Sequence, residues 1–329
     1  MTARRSALVI DANNLISRAI FASALDDLRA GGRFTGGIFG SLSSLRALMT
    51  NPLVAGVGPI YACFDNGVPK RRTKLLPDYK QARRESREAL PEEEREKALG
   101  QIEACYSFWP SLGVCCLSYK HREADDVVAA VVRVLAGQGV VPVVVSSDRD
   151  LFQLVAHGAE VFDLRSQSLI THETFEEHAG GIPLELWLLY RALVGDSSDG
   201  IKGSPGCGPK RAAKLIEDLD LDTLPADADP HAQLRHLCAV VRARLRTSKK
   251  PRAFETSLLE REDHLHRVLG AIDLGDSFGP VASLTTRMQD LPFVDTKSFL
   301  RQCRDLQFAS VLGDPSGTLD PFLKAQNLR

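Results

Sequence analysis

Three short apolar runs along this chain each end on aspartate. Ala7–Ile10 stops at Asp11, Ile60–Phe64 stops at Asp65, and Val140–Val145 passes through Ser146 and Ser147 to Asp148 and Asp150. Runs of this length, rich in β-branched residues, predict buried strands of a parallel sheet. Pro142, inside the third, weakens regular pairing at its start. Between the runs, apolar positions recur at helical spacing: Leu42, Leu45, Leu48 and Met49, then Val127, Val128, Val131, Val132 and Leu135. Strands alternating with helices predict an α/β sheet wound by crossovers. After about residue 170 the strand signal fades. Trp187, Leu188, Leu189, Leu193 and Val194 predict one helix; Ala212, Ala213, Leu215 and Ile216 predict another beyond a glycine-rich turn. The remainder reads as helices and loops, with the acidic stretch Glu217–Asp229 and the basic stretch Arg242–Arg252 as mobile surface segments.

A length of 329 residues suggests about two domains. With 44% hydrophobic and 25% charged residues, disordered, collagen-like and coiled-coil classes are excluded as overall descriptions. No apolar run approaches the ~20 residues that span a bilayer. The stretch after Arg4 and Arg5 ends at Asp11, too soon for a signal peptide. Seven scattered cysteines without a CxxC pair read as reduced thiols of a cytosolic protein. The net charge of −1 names no partner, so its distribution matters more.

Ligands of open α/β sheets bind beyond the carboxyl ends of the strands, where Asp11, Asp65, Asp148 and Asp150 fall. Any one of them alone reads as a turn former or helix N-cap; three strands ending alike weaken that reading. Glu123, Asp125 and Asp126 open the helix through Val127. The helix dipole favours acids there by only ~0.3–1 kcal/mol each. Two unit charges ~5 Å apart repel by roughly 3 kcal/mol at an effective dielectric of ~20, so a pocket collecting these side chains requires cations. Asp196 and Asp199 form a further pair, which alone reads as a solvated turn. All-oxygen ligands suit Mg²⁺ or Mn²⁺ rather than zinc. So many carboxylates suggest two ions, the arrangement that hydrolyses phosphodiesters.

Residues 70–87 carry a net charge of +6, including Arg72, Lys80 and Arg83, and residues 88–97 carry −3. Charge runs usually mark solvated helix faces. Directly after Asp65, however, a cationic block would draw in a polyanion that the acids alone repel, with Arg72 and Lys80 on the scissile phosphate. Gly203, Gly206 and Gly208 precede a helix, and residues 200–214 hold Lys202, Lys210, Arg211 and Lys214 without an acid. This is a turn suited to backbone phosphates and indifferent to base sequence.

The segments LVIDANNLISRAIF, YACFDNGVPKRRTKLLPDYKQARR, READDVVAAVV, VVSSDRDLFQLV and GDSSDGIKGSPGCGPKRAAKLI resemble, in order and spacing, the 5′-nuclease (flap endonuclease) family. The resemblance spans about residues 7–216 and fades after about 225. It implies an α/β, PIN-like, mostly parallel sheet flanked by helices over residues 1–170, with a basic helical arch near 66–100. A helical region over 171–329 would follow, carrying a helix–three-turn–helix (helix-hairpin-helix) near 195–216. By resemblance, Asp11, Asp65, Glu123 and Asp125 hold the first metal and Asp148, Asp150, Asp196 and Asp199 the second, with Asp126 outer or bridging. Lys80 and Arg72 would be catalytic. Arg83, Tyr79, Gly206, Gly208, Lys210 and Lys214 would contact DNA, and backbone carbonyls of 203–208 would take K⁺. Leu76 replaces a common aromatic, and Ser204 and Cys207 replace apolar hairpin residues. With about 110 residues after the hairpin, no polymerase domain is expected there.

The implied activity is two-metal, Mg²⁺- or Mn²⁺-dependent 5′-3′ exonuclease and flap-endonuclease hydrolysis in replication or repair. The implied partner is DNA with a 5′ flap, 5′ overhang or nicked or branched duplex. The protein would be a cytoplasmic monomer without membrane association, nucleoid-associated or phage-encoded. A PIN-type ribonuclease and a non-catalytic branched-DNA-binding protein remain as alternatives.

Overall fold

The computed structural model describes residues 5–22, 25, 27–54, 56–219, 224, 228–247, 252–275 and 282–328. Along the chain run β1 (Ser6–Asp11), α1 (Ala12–Ile20), β2 (Arg29–Ala30), β3 (Arg33–Phe34), α2 (Gly36–Thr50), β4 (Ile60–Phe64), α3 (Lys70–Leu75), α4 (Gln81–Glu88), α5 (Glu92–Phe108), β5 (Cys115–Ser118), α6 (Ala124–Gly137), β6 (Val141–Ser146), β7 (Glu160–Asp163) and β8 (Ser168–Ile170). There follow α7 (Phe175–His178), α8 (Trp187–Val194), β9 (Gly195–Asp196), β10 (Ile201–Lys202), α9 (Pro209–Glu217), α10 (Pro230–Thr247), α11 (Ala253–Glu260), α12 (Glu262–Ile272), α13 (Ala282–Gln289), α14 (Thr296–Asp305), α15 (Ala309–Gly313) and α16 (Pro315–Gln326). Among the described residues no helix is long and apolar enough to cross a membrane.

The chain divides into two compact units. The first comprises Met1–Val68, Ala89–Thr171 and Ser277–Arg329; the second comprises Pro69–Glu88 and His172–Asp276. These units are discontinuous, unlike the expected division at residue 170. The reason is packing: Phe299, Phe308 and Phe322 of the C-terminal helices are buried in the same core as Leu8 and Ile10 of β1.

In the first unit the sheet runs β5-β4-β1-β6-β7-β8, parallel except for β8 against β7. The three apolar runs are the central strands. Val9 of β1 lies opposite Tyr61 of β4 on one side and Val144 of β6 on the other. Strands buried on both faces are continuously apolar, which is why these runs lack alternation. Pro142 is accommodated because pairing of β6 with β7 begins only at Val143. The aromatic side chains tie the layers together: Phe108 stacks on Phe299 at 5.7 Å, and Phe64 lies 5.6 Å from Trp109. Each fully buried side chain of this size contributes about 1.5–3 kcal/mol by leaving water.

The second unit is helical. Leu189 and Leu193 of α8, Leu215 of α9, Leu234 and Leu237 of α10, and Leu265 and Leu269 of α12 form its core. Its basic stretch is not loose as far as Thr247. Arg242 on α10 pairs with Glu262, and Arg244 lies 3.0 Å from Asp218 and 3.1 Å from Glu255. These ion pairs hold α10 to its neighbours. In the acidic stretch, Glu217 ends α9, while residues 220–223 and 225–227 lie outside the described residues, as do 248–251 of the basic stretch.

Candidate active site

In the first unit, seven of the expected carboxylates lie at the carboxyl edge of the sheet or on the helix starts beside it. Asp11 is at once the last residue of β1 and the N-cap of α1; its carboxylate accepts from the Asn14 N–H at 3.1 Å and the Ser146 hydroxyl at 2.9 Å. Asp65 follows β4, and its Oδ1 accepts from the Ala124 N–H at 2.7 Å, which ties it to the start of α6. Glu123 is the N-cap of α6, in a capping box with Asp126, whose Oδ2 accepts from the Glu123 N–H at 3.1 Å. Asp125 accepts from the Asp126 N–H at 2.8 Å. Asp148 caps the 3₁₀ turn Arg149–His157, its Oδ1 accepting from the Asp150 N–H at 2.9 Å. The capping roles and the gathering of charge therefore coexist in the same side chains.

The electrostatics record the crowding. Burial pushes the Asp11 carboxyl up to about 7, aided by the negative charges of Asp65 and Asp148 and opposed by the bonds from Asn14 and Ser146. Among the described residues no three Asp, Glu, His or Cys side chains stand close enough to ring a metal ion as they are turned here. Both Asp11 oxygens, and one oxygen each of Asp65, Asp125, Asp126 and Asp148, are engaged by the amides and hydroxyl just named. The donor set nevertheless fits a hard divalent cation: it is all oxygen, it lies at one sheet edge, and the charges of Asp65 and Asp148 help to raise the buried Asp11 carboxyl.

Asn13, Asn14, Ser146 and Ser147 belong to this edge although their roles were not evident beforehand. Asn13 Oδ1 accepts from the Asp65 N–H at 2.9 Å. Asn14 Oδ1 accepts from both the N–H and the hydroxyl of Ser147, at 3.1 and 2.9 Å. The Ser146 hydroxyl also accepts from the Asp148 N–H at 3.0 Å, so one oxygen bridges two of the acids. Paired small polar residues at or just past the ends of two strands were the available signal; only the adjacency of β1 and β6 makes them partners.

The second unit holds the remaining residues. Asp196 accepts from the N–H and hydroxyl of Ser198, at 2.8 and 2.7 Å, and pairs with Arg191 at 2.9 Å. Burial works to raise its carboxyl, but those partners outweigh it and hold it below the usual range. Asp199 pairs with Lys80 at 3.3 Å and Arg83 at 3.0 Å. Tyr79, only 3% exposed, donates its phenol O–H to Asp199 at 3.3 Å. It is thus an internal support and not an exposed face for a base. Arg72 is equally buried, its Nε donating to the Ala271 carbonyl at 3.0 Å. Leu76 is also buried, which removes it from any stacking role.

At the glycine turn, Gly206 has φ +70° and its carbonyl accepts from Arg211 at 2.6 Å. Gly208 is the N-cap of α9. Lys210 is exposed, and Lys214 lies 3.1 Å from Glu217 and 3.3 Å from Asp218. Lys210, Arg211, Lys214 and Arg252 line a groove of about 520 Å³ with Phe254, over whose ring Arg211 lies at 5.3 Å. Ser204 and Cys207 are both buried, which explains how they stand in for apolar residues; burial pushes the Cys207 thiol up to about 11.

The fold and edge define a doubly wound α/β domain with an acidic rim, continuous in chain with a helical unit that carries a basic glycine turn. The chain belongs to the 5′-3′ exonuclease family: residues 6–180 match its N-terminal resolvase-like domain. It is 31% identical over 220 residues to the 5′-3′ exonuclease of Bacillus subtilis, covering 65% of this chain and 70% of that protein. It is 30% identical over 212 residues to the flap endonuclease Xni of Aeromonas salmonicida, covering 64% and 75%. It is 34% identical over 212 residues to DNA polymerase I of Deinococcus radiodurans, covering 64% of this chain and 20% of the polymerase. The chain thus spans about a fifth of that polymerase.

Among solved structures, the T5 D15 protein co-crystallised with metal ions superposes with a TM-score of 0.64 at 20% identity, covering 87% of this chain and 98% of that one. The catalytic core of Rad2 in complex with DNA substrate gives 0.53 at 15%, covering 99% and 93%. These likenesses bear out the expected fold.

Proposed function

We propose that this protein is a divalent-metal-dependent, structure-specific 5′-nuclease acting on DNA, with both 5′-3′ exonuclease and flap-endonuclease action. One observation carries the reading: in a chain of the 5′-3′ exonuclease family, the buried Asp11 carboxylate is crowded by Asp65 and Asp148 at the rim where ligands of such sheets bind. Asp11, Asp65, Glu123, Asp125, Asp126, Asp148 and Asp150 would hold Mg²⁺ or Mn²⁺. For Asp196 and Asp199 the resemblance implies a second ion; here Asp196 pairs with Arg191, and Asp199 with Lys80 and Arg83. When bound, the metal supplies charge neutralisation and an activated water. The protein's own part is positioning. The Ser146 and Asn14 contacts hold the Asp11 carboxylate, while Asn13 and Ser146 anchor the backbone at Asp65 and Asp148. Lys80 and Arg83 offer cationic charge to the phosphate. Lys210 and the backbone N–H groups at the start of α9 receive duplex phosphates.

A monovalent cation, K⁺, is proposed at 203–208. Ser204 supports it, since its buried hydroxyl oxygen has no hydrogen-bond partner among the described residues. The proposed setting is cytoplasmic DNA replication or repair. The test is incubation with a 5′-flap DNA and with single-stranded RNA, each with Mg²⁺ and with chelator. Metal-dependent cutting of the flap is expected. Preference for the RNA would turn the reading to a ribonuclease, and binding of the flap without cutting would leave a non-catalytic module.

A further inference from the structure

We propose that Asp199, Gly200 and Tyr79 are positioning residues that hold Lys80 in place; the role assigned to Lys80 rests on the nuclease reading above. Lys80 sits at the turn before α4 with φ +51°, a left-handed conformation that lysine seldom adopts. Such a conformation persists only where its surroundings over-determine it, and here they do. The Lys80 N–H donates to the Asp199 carbonyl at 2.7 Å, and its ammonium lies 3.3 Å from the Asp199 carboxylate. One residue, distant in sequence, therefore grips both ends of the lysine.

Tyr79 completes the grip. Its phenol O–H donates to the same Asp199 carboxylate at 3.3 Å, and the Lys80 ammonium lies 5.1 Å from its ring centre. Gly200 permits the loops to meet. It has φ +71°, and a Cβ there would come within 3.1 Å of the Asp78 carbonyl and 3.8 Å of the Lys80 nitrogen. A side chain at 200 would be strained by the left-handed φ and would require the Asp78 carbonyl, next to the turn that holds Lys80, to shift by a few tenths of an ångström.

A lysine on a flexible stem is a poor electrostatic catalyst unless it is pre-organised, because ordering it during the reaction adds to the barrier. The loop at 196–200 removes that cost in advance. Gly200 and Tyr79 act through Lys80 and not on the reacting atoms.

The experiment compares the wild type with G200A, Y79F, K80A and G200A/K80A, each checked for folding by its melting temperature. Acylation of Lys80 by an amine-reactive ester, read by mass spectrometry on protein free of DNA and metal, should speed up several-fold in G200A and less in Y79F, with Lys120 unchanged. On 5′-flap DNA with Mg²⁺, G200A should lower kcat by roughly tenfold or more, with KM within about twofold. In the K80A background the same change should cost nothing further. Unaltered Lys80 labelling in both G200A and Y79F, or losses that multiply in the double variant, would overturn the proposal. If wild type does not cut the flap, the nuclease reading fails, while the labelling still decides whether this loop holds Lys80. Should G200A fail to fold, Y79F, which removes only one hydroxyl, carries the same labelling and kcat readouts.

Discussion

Replacing Asp11 by asparagine should stabilise the metal-free protein at neutral pH, and more so as pH rises. The carboxyl titrates near 3.8 when unperturbed and is pushed up to about 7 in the fold, chiefly by burial. Between those values the folded state holds a proton that the unfolded state has lost, so stability falls as pH rises through the window. The penalty is absent below about pH 4 and complete above about pH 7. Three units correspond to about 4 kcal/mol at 1.36 kcal/mol each, an upper figure that local relaxation reduces to roughly half. Asparagine loses a good acceptor for the Ser146 hydroxyl, a cost of about 1 kcal/mol that does not vary with pH. Thermal melts in chelator at pH 5, 6, 7 and 8 should show the variant gaining on the wild type by several degrees across the series. Adding Mg²⁺ should raise the wild-type melting temperature more than the variant's. A pH-independent difference, or a wild type that gains on the variant at high pH, would refute the placement of Asp11 as a buried carboxyl beside Asp65 and Asp148.

Asp148→Asn should slow flap cleavage by at least a hundredfold while leaving DNA affinity within about threefold; a large loss of affinity with normal turnover would remove Asp148 from the chemistry. Lys210→Ala should weaken duplex binding equally across sequences and reduce the slope of log affinity against log salt by about 1, as gel shifts at several salt concentrations would reveal. Phe299→Ala should cost about 3–5 kcal/mol in denaturant melts, because its fully buried ring stacks on Phe108 between α14 and α5. A loss under 1 kcal/mol would mean that the C-terminal helices do not belong to the sheet's core.

The central strands β1, β4 and β6 were legible because burial on both faces leaves an unbroken apolar run, and their terminal aspartates were legible with them. β5, β7 and β8 were not. Cys115–Ser118 is only four residues long with two half-buried, and Glu160–Asp163 and Ser168–Ile170 are too short to show a period. The resemblance implies a catalytic Arg72 and a DNA-contacting Tyr79, and both lie in a basic block of the kind that ordinarily faces solvent. Their burial depends on the Asp199 carboxylate and the Ala271 carbonyl, which local composition does not reveal. Among the residues expected to touch DNA, Lys210 and the turn at Gly206 and Gly208 keep an exposed setting.

By itself, the order of residues determined which strands lie at the centre, which acids sit at their ends and where the basic and glycine-rich segments fall, because burial and strand-end placement follow local pattern. Tertiary structure alone decided which side chains share a proton, a charge or a hydrogen bond. Ser146 bridges Asp11 and Asp148 because β1 and β6 are neighbours, and Asp199 grips Lys80 because two loops far apart in the chain meet at a glycine. Such pairings depend on distances of about 3 Å between residues separated by a hundred positions or more, and no periodicity along one chain encodes a contact of that range.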